Sequence, residues 1–255
     1  MRRREKFILA SVVLGILLLI VQSIPLEWKY LGTGVFMLIT YVVASWVLSD
    51  DLQRHERFTV VPLPALFAGS VALFYFLLPS NLFSRIMMLG TFGIGMYALF
   101  LTANIYSVAK GRTIQLLHAA QAIGLWFTLI VSLFFANTIF SLKLPFYLNG
   151  LFIGISHFPL IYMSLWAVRL ESHLEKEILQ LSLLLTVVLI EISIFFSFLP
   201  QSVWYQALFI MSVLYLGLSI LRSFLAERLF VNAVREFSLV AAFVVTLFLL
   251  AFPLK

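Results

Sequence analysis

Two polar residues lie deep in apolar segments, where they could carry protons or cations within a membrane: Glu191 and His157. If its segment is helical, Glu191 lies roughly 12 Å below the end marked by Pro200. His157 lies about as deep in the preceding segment, and Pro159 beside it frees a backbone carbonyl. Consecutive helices run antiparallel, so a Glu191–His157 contact is geometrically possible. Because a buried carboxyl is costly when ionised, the open alternative is a neutral glutamic acid that joins helices through hydrogen bonds.

A second group of polar side chains surrounds a tight basic turn in the middle of the chain. Its members are Asn104, Lys110, Arg112, Gln115, His118 and Gln121. The last three recur every third residue, which places them along one side of a helix. One interpretation is a cytoplasmic vestibule that recognises a lipid head group. The other is hydrogen bonding between helices, with Asn104 on the preceding helix as a partner.

The patterns of the common catalytic and metal sites are missing from the sequence. His55 and His173 lie among charged residues and lack the His/acid spacing of a zinc site such as H-E-x-x-H. There is no glycine-rich phosphate loop, nucleophile elbow or carboxylate pair, and cysteine is absent. The sequence therefore predicts no catalytic residue, no metal site and no cofactor, and it disfavours an enzyme.

The composition is that of a membrane protein. Hydrophobic residues make up 63% of the 255 residues and charged residues 11%, whereas about a quarter of the residues of a soluble domain are charged. The mean hydropathy is +1.09. The net charge of +6 comes from basic residues scattered through short loops, which favours contact with anionic lipid over nucleic acid. We expect an all-α polytopic transmembrane helix bundle.

Nine apolar segments are long enough to cross a bilayer. The first follows a basic start but is too long for a signal peptide, so we expect it to be retained. No loop has room for a separate soluble domain, so residues 1–255 are predicted to form a single integral membrane domain. The predicted spans are 7–24, 30–48, 58–78, 84–108, 114–136, 146–168, 178–199, 203–222 and 237–253.

The distribution of basic residues predicts the orientation. With nine spans and a cytoplasmic N-terminus, thirteen of the seventeen Lys and Arg residues fall on the cytoplasmic side. The other four are Lys29, Arg85, Lys143 and Lys255. Basic residues concentrate in the cytoplasmic loops of membrane proteins. We therefore expect insertion in the cytoplasmic membrane with the C-terminus outside.

Proline and tryptophan spacing suggests an internal repeat. A shift of 120 residues brings Pro25 onto Pro145, and Trp46 onto Trp166. One interpretation is two parallel four-span units, 7–108 and 114–222, followed by a closing helix at 237–253. The other is that helical hairpins of similar length align by chance. A true repeat predicts that the two tryptophans occupy equivalent places.

Three stretches of the sequence carry a family resemblance: Asn-Ile-Tyr-Ser-Val-Ala with Arg-Thr-Ile-Gln-Leu-Leu-His-Ala-Ala-Gln (104–109 and 112–121), Leu-Trp-Ala-Val-Arg-Leu-Glu (165–171), and Glu191 with Phe-Leu-Pro (198–200). They resemble an uncharacterised family of polytopic membrane proteins from candidate-phylum bacteria with small genomes. The resemblance covers most of the chain. It implies the membrane class, and it implies no activity and no functional residue.

Two classes of function are compatible with these observations. The first is a non-enzymatic membrane subunit or scaffold that binds membrane lipids and other membrane proteins. The second is a small transporter or lipid-handling protein with a polar path near Glu191 and His157. A polar, water-accessible cavity would favour transport, and a dry core would favour a scaffold.

Overall fold

In the computed structural model, the described part of the chain comprises residues 3–49, 52, 56–78, 81–109, 116–170, 175–228 and 231–250. All regular secondary structure within these ranges is helical, which confirms the predicted fold class. The helices are α1 (Arg3–Gln22), α2 (Lys29–Val47), α3 (Glu56–Thr59), α4 (Pro62–Tyr75), α5 (Leu82–Ala109), α6 (Leu116–Ser141), α7 (Phe146–Arg169), α8 (Lys176–Phe196), α9 (Val203–Leu225) and α10 (Val231–Leu250), with a 3₁₀ turn at Leu26–Trp28.

Eight helices in the described ranges are long and apolar enough to cross a membrane, with α3 and α4 counted together as Glu56–Tyr75. The protein is therefore embedded in a membrane. The ninth predicted span, 237–253, overlaps α10, but its last three residues lie outside the described part of the chain. The predicted span 58–78 is broken after Thr59 and restarts at Pro62. Proline suits a first helical turn because its missing N–H needs no partner there.

The chain divides into two compact units, Met1–Phe127 and Thr128–Lys255, which we call unit 1 and unit 2. The division falls inside α6, so this helix contributes to both units. In unit 1, α1 packs against α2 and α5, and α4 packs against α2 and α5. The core of unit 1 contains an aromatic cluster: the ring of Phe67 stacks on that of Phe92, with 5.7 Å between ring centroids, and meets the ring of Phe127 edge to face at 5.2 Å.

Unit 2 is built around the pair α7 and α8, both of which also contact α9. Gly150 and Gly154 face α8: a Cβ atom at Gly154 would lie 2.7 Å from Ile190 Cδ1, and one at Gly150 would lie 3.0 Å from Ile194 Cγ1. This G-x-x-x-G spacing lets the two backbones approach closely. At the C-terminal end of α8, the buried ring of Phe196 packs against the rings of Phe209 and Phe248, with 5.1 and 5.0 Å between ring centroids.

The side chains that the proposed repeat would superpose lie in unlike surroundings. Trp46 is 55% exposed, whereas Trp166 is 2% exposed. The same shift of 120 residues brings Gly34 onto Gly154, but Gly34 has open space where a side chain would be, whereas Gly154 lies against Ile190. The expectation that the two tryptophans occupy equivalent places is therefore wrong, and the internal repeat stays a prediction without support.

Candidate functional site

His157 lies on the inner face of α7 and is completely buried. Its Nε2 lies 2.8 Å from the hydroxyl of Ser132 on α6. Its Nδ1 lies 3.0 Å from the carbonyl oxygen of Ile153 and 2.9 Å from the hydroxyl of Ser156. A carbonyl only accepts hydrogen bonds, so the geometry favours a proton on Nδ1 and donation by Ser132 to Nε2. Both ring nitrogens are thus bonded, and the imidazole links α6 to α7.

Two further buried amides connect the helices of unit 2. Asn149 donates from Nδ2 to the hydroxyl of Ser197, beyond the end of α8, at 3.0 Å. Gln206 on α9 donates from Nε2 to the carbonyl of Phe196 at 3.1 Å. Within a membrane, such bonds replace the water that a polar group would otherwise need. Together with the His157–Ser132 pair, they connect α6, α7, α8 and α9 through polar contacts.

Glu191 does not point into the bundle as predicted: its side chain is exposed. Buried residues of α8 include Leu189 and Ser193, each two positions away. Two positions correspond to about 200° around a helix, which puts Glu191 on the opposite face. Within the described part of the chain Glu191 has no hydrogen-bonding partner, and His157 is bonded elsewhere. The predicted Glu191–His157 contact is therefore wrong, and among the described residues Glu191 does not join two helices either.

The polar cluster around the basic turn is only partly visible. Lys110, Arg112 and Gln115 lie outside the described residues. Of the other members, His118 is exposed, and Asn104 and Gln121 are half-buried. The lipid-head-group interpretation thus stays a prediction.

The bond that joins the helices on either side of this turn was not predicted from the sequence. The Tyr106 hydroxyl on α5 donates to the Ala120 carbonyl on α6 at 2.9 Å. Tyr106 is buried among apolar neighbours, and a buried tyrosine hydroxyl normally finds a partner. A tyrosine within an apolar segment was therefore the feature of the sequence that could have indicated this bond.

A second missed feature is an ion-pair cluster at the end of α7. Arg169 donates from Nη1 to the carboxylates of Glu175 and Glu177, at 3.0 and 2.8 Å. Its Nε also lies 3.4 Å from the carbonyl of Leu225, the last residue of α9. The positive guanidinium thus stabilises the C-terminal carbonyls of α9 and the acidic residues at the start of α8. The run of charged residues at 169–177 indicated that ion pairs could form there, but sequence spacing alone did not show which side chains pair with each other.

Acidic and histidine side chains do not gather into a metal site in the described ranges, where no group of three His, Cys, Asp or Glu was found. His55 and His173 lie outside those ranges. Glu56, at the start of α3, is completely buried and was not anticipated. It is the first residue of this four-residue helix.

An apolar groove of about 500 Å³ runs along unit 1 between α1 and α5. Its floor is made of small residues, among them Gly15, Gly90 and Gly93, and its walls include Ile8 and Ile94. A lining of this kind accommodates hydrocarbon and offers few groups to an ion or a polar substrate.

Comparison with known proteins adds no family or fold relationship. No protein family model, curated protein or solved structure matches this chain. The family resemblance drawn from the sequence therefore stays an expectation.

Proposed function

We propose that this chain is a non-enzymatic subunit or scaffold of the cytoplasmic membrane, whose helices and short cytoplasmic loops bind other membrane proteins and lipid. The observation that carries the proposal is the bonding of His157. Both of its ring nitrogens are engaged within α6 and α7, so the residue best suited to proton transfer is used to hold helices together. Asn149 and Gln206 serve the same purpose.

The transporter alternative loses the path on which it was based. That path was predicted to run past Glu191 and His157, but Glu191 lies on the exposed face of α8 and His157 is buried. The groove of unit 1 is apolar and fits the lipid contacts of a membrane subunit. We also propose that the protein is bacterial, as its family resemblance suggests.

Transport measurements and partner identification test the proposal together. In sealed proteoliposomes, the purified chain should give no proton or potassium flux above that of protein-free vesicles. In native membranes, the intact chain should form a stable complex that contains a second, different polypeptide. Membranes without the tagged chain are the control. Flux supported by the purified chain alone would contradict the proposal and restore the transporter.

The proposed orientation is tested separately. Because thirteen of the seventeen basic residues fall on one side of a nine-span arrangement, we expect the N-terminus in the cytoplasm and the C-terminus outside. A periplasmically active reporter fused after Lys255 should be active, and a cytoplasmically active one should be silent. The opposite pattern would show that one of the nine predicted segments does not cross the membrane.

A further inference from the structure

The exposed face of α8 carries a regular stripe of side chains. It consists of Gln180, Leu184, Val187, Glu191 and Phe195. Leu184 and Val187 are 59% and 50% exposed. The first four positions are separated by four, three and four residues, which places them on one side of the helix. This side lacks a partner helix within the described part of the chain.

Glu191 makes it costly to leave this face against lipid. The residue lies about 22 Å along the helix from Lys176 and about 8 Å from Phe196. A hydrocarbon layer is about 30 Å thick, so this position falls within it. Lipid tails provide no hydrogen-bonding partner for a carboxyl group, and polar groups at such depth face protein or a water-filled cavity. The carboxyl therefore indicates that protein covers the stripe.

A second copy of the chain fits the stripe best. Copies of a membrane protein share one orientation, so a two-fold axis along the membrane normal places equal residues at equal depth. Glu191 would then meet Glu191, and Gln180 would meet Gln180. A carboxyl group in its neutral form both donates and accepts, and so does a carboxamide. Both polar positions of the stripe are thus self-complementary, and apolar Leu184 and Val187 lie between them.

We propose that α8 pairs with α8 of a second copy through this stripe, with the two Glu191 carboxyl groups hydrogen-bonded to each other across the two-fold axis. The inference goes beyond the proposed function and does not depend on it, because a transporter could dimerise through the same face. If the flux or complex measurements contradict the proposed function, the proposed dimer still stands. If no dimer is found, the proposed function still stands.

Disulfide cross-linking tests the seam directly. The chain has no cysteine, so each introduced cysteine is the only thiol. In oxidised native membranes, Leu184→Cys and Val187→Cys should give covalent dimers of the chain. Leu185→Cys, on the buried face with 4% exposure, and Leu38→Cys, on α2 with 68% exposure, should not. Equal cross-linking at Leu38 and Val187, or cross-linking of Val187→Cys only to a different polypeptide, would overturn the proposal.

Substitution of Glu191 tests the hydrogen bond. Glu191→Gln keeps a self-complementary group and should leave dimerisation near the wild-type level. Glu191→Leu removes the bond and should weaken dimerisation by about 5- to 30-fold, the effect of one interhelical hydrogen bond in a membrane. Energy transfer between labelled chains, measured over a range of protein-to-lipid ratios, gives the fraction dimerised.

The folding of the Glu191 variants can be checked independently. The side chain has no partner within the described part of its own chain, so both variants should keep the helical content and the monomer unfolding midpoint of the wild type. A correctly folded Glu191→Leu chain that dimerises as strongly as the wild type would overturn the proposed carboxyl pair.

Discussion

Replacing Gly154 by leucine should lower the free energy of unfolding of unit 2 by about 2–3 kcal/mol, because the new side chain would overpack the α7–α8 interface. A Cβ atom at this position already lies 2.7 Å from Ile190 Cδ1 and 3.2 Å from its Cγ1. The end of the Ile190 side chain can give way to a Cβ atom, but a whole leucine side chain has to fit into the α7–α8 interface, the most extensive helix pair of the unit. Denaturation by SDS in mixed micelles, followed by circular dichroism, measures the change.

Gly34→Leu is the matched control. Gly34 is also a helical glycine, but nothing lies within 4 Å of a Cβ atom there. The substitution should leave the free energy of unfolding unchanged or raise it by up to about 1 kcal/mol, because leucine is a better helix former than glycine. Equal destabilisation by the two substitutions would show that the loss at Gly154 does not come from contact with α8.

Removing the imidazole of His157 should have the largest effect among the polar residues of unit 2. His157→Ala leaves a cavity and strips the Ser132 hydroxyl of its partner, so we expect a loss of about 2–4 kcal/mol in the free energy of unfolding. Ser132→Ala alone should cost about 1 kcal/mol. Because the two side chains bond directly at 2.8 Å, the double variant should lose less than the sum, by about 0.5–1.7 kcal/mol.

Ser238→Ala is the control for this comparison of single and double variants. Ser238 is exposed on α10, and among the described residues its hydroxyl bonds only to the carbonyl of Val234 on its own helix. Its effect should add to that of His157→Ala within about 0.5 kcal/mol. Additive losses for the His157 and Ser132 variants would mean that the observed bond does not contribute to stability.

The membrane class and the positions of the helices could be predicted because each depends on the length of an apolar run. The predicted spans 146–168 and 203–222 correspond to helices at Phe146–Arg169 and Val203–Leu225. A long apolar segment favours the membrane over water whichever helices it packs against, so composition alone is sufficient to find it. Breaks inside a run, such as the restart at Pro62, depend on local backbone chemistry and were harder to predict.

The orientation of Glu191 could not be predicted by the same reasoning, because a membrane helix is apolar on every side. In a soluble protein, the hydrophobic stripe shows which face is buried. In α8 the better indicator is the set of small polar residues at Ser182, Thr186 and Ser193, all of which are buried. The Gly150–Gly154 spacing gave the same kind of information for α7. Small residues mark the face at which membrane helices approach each other.

The division of the chain inside α6 has a consequence for how the protein is made. Phe127, near the middle of this helix, completes the aromatic cluster of unit 1 by its contact with Phe67. Because the chain is synthesised from its N-terminus, α1 to α5 are made before this residue. The cluster is therefore complete only once the middle of α6 has been made. A ribosome stalled before Phe127 should hold a nascent chain that proteases cleave more readily than one stalled well beyond it.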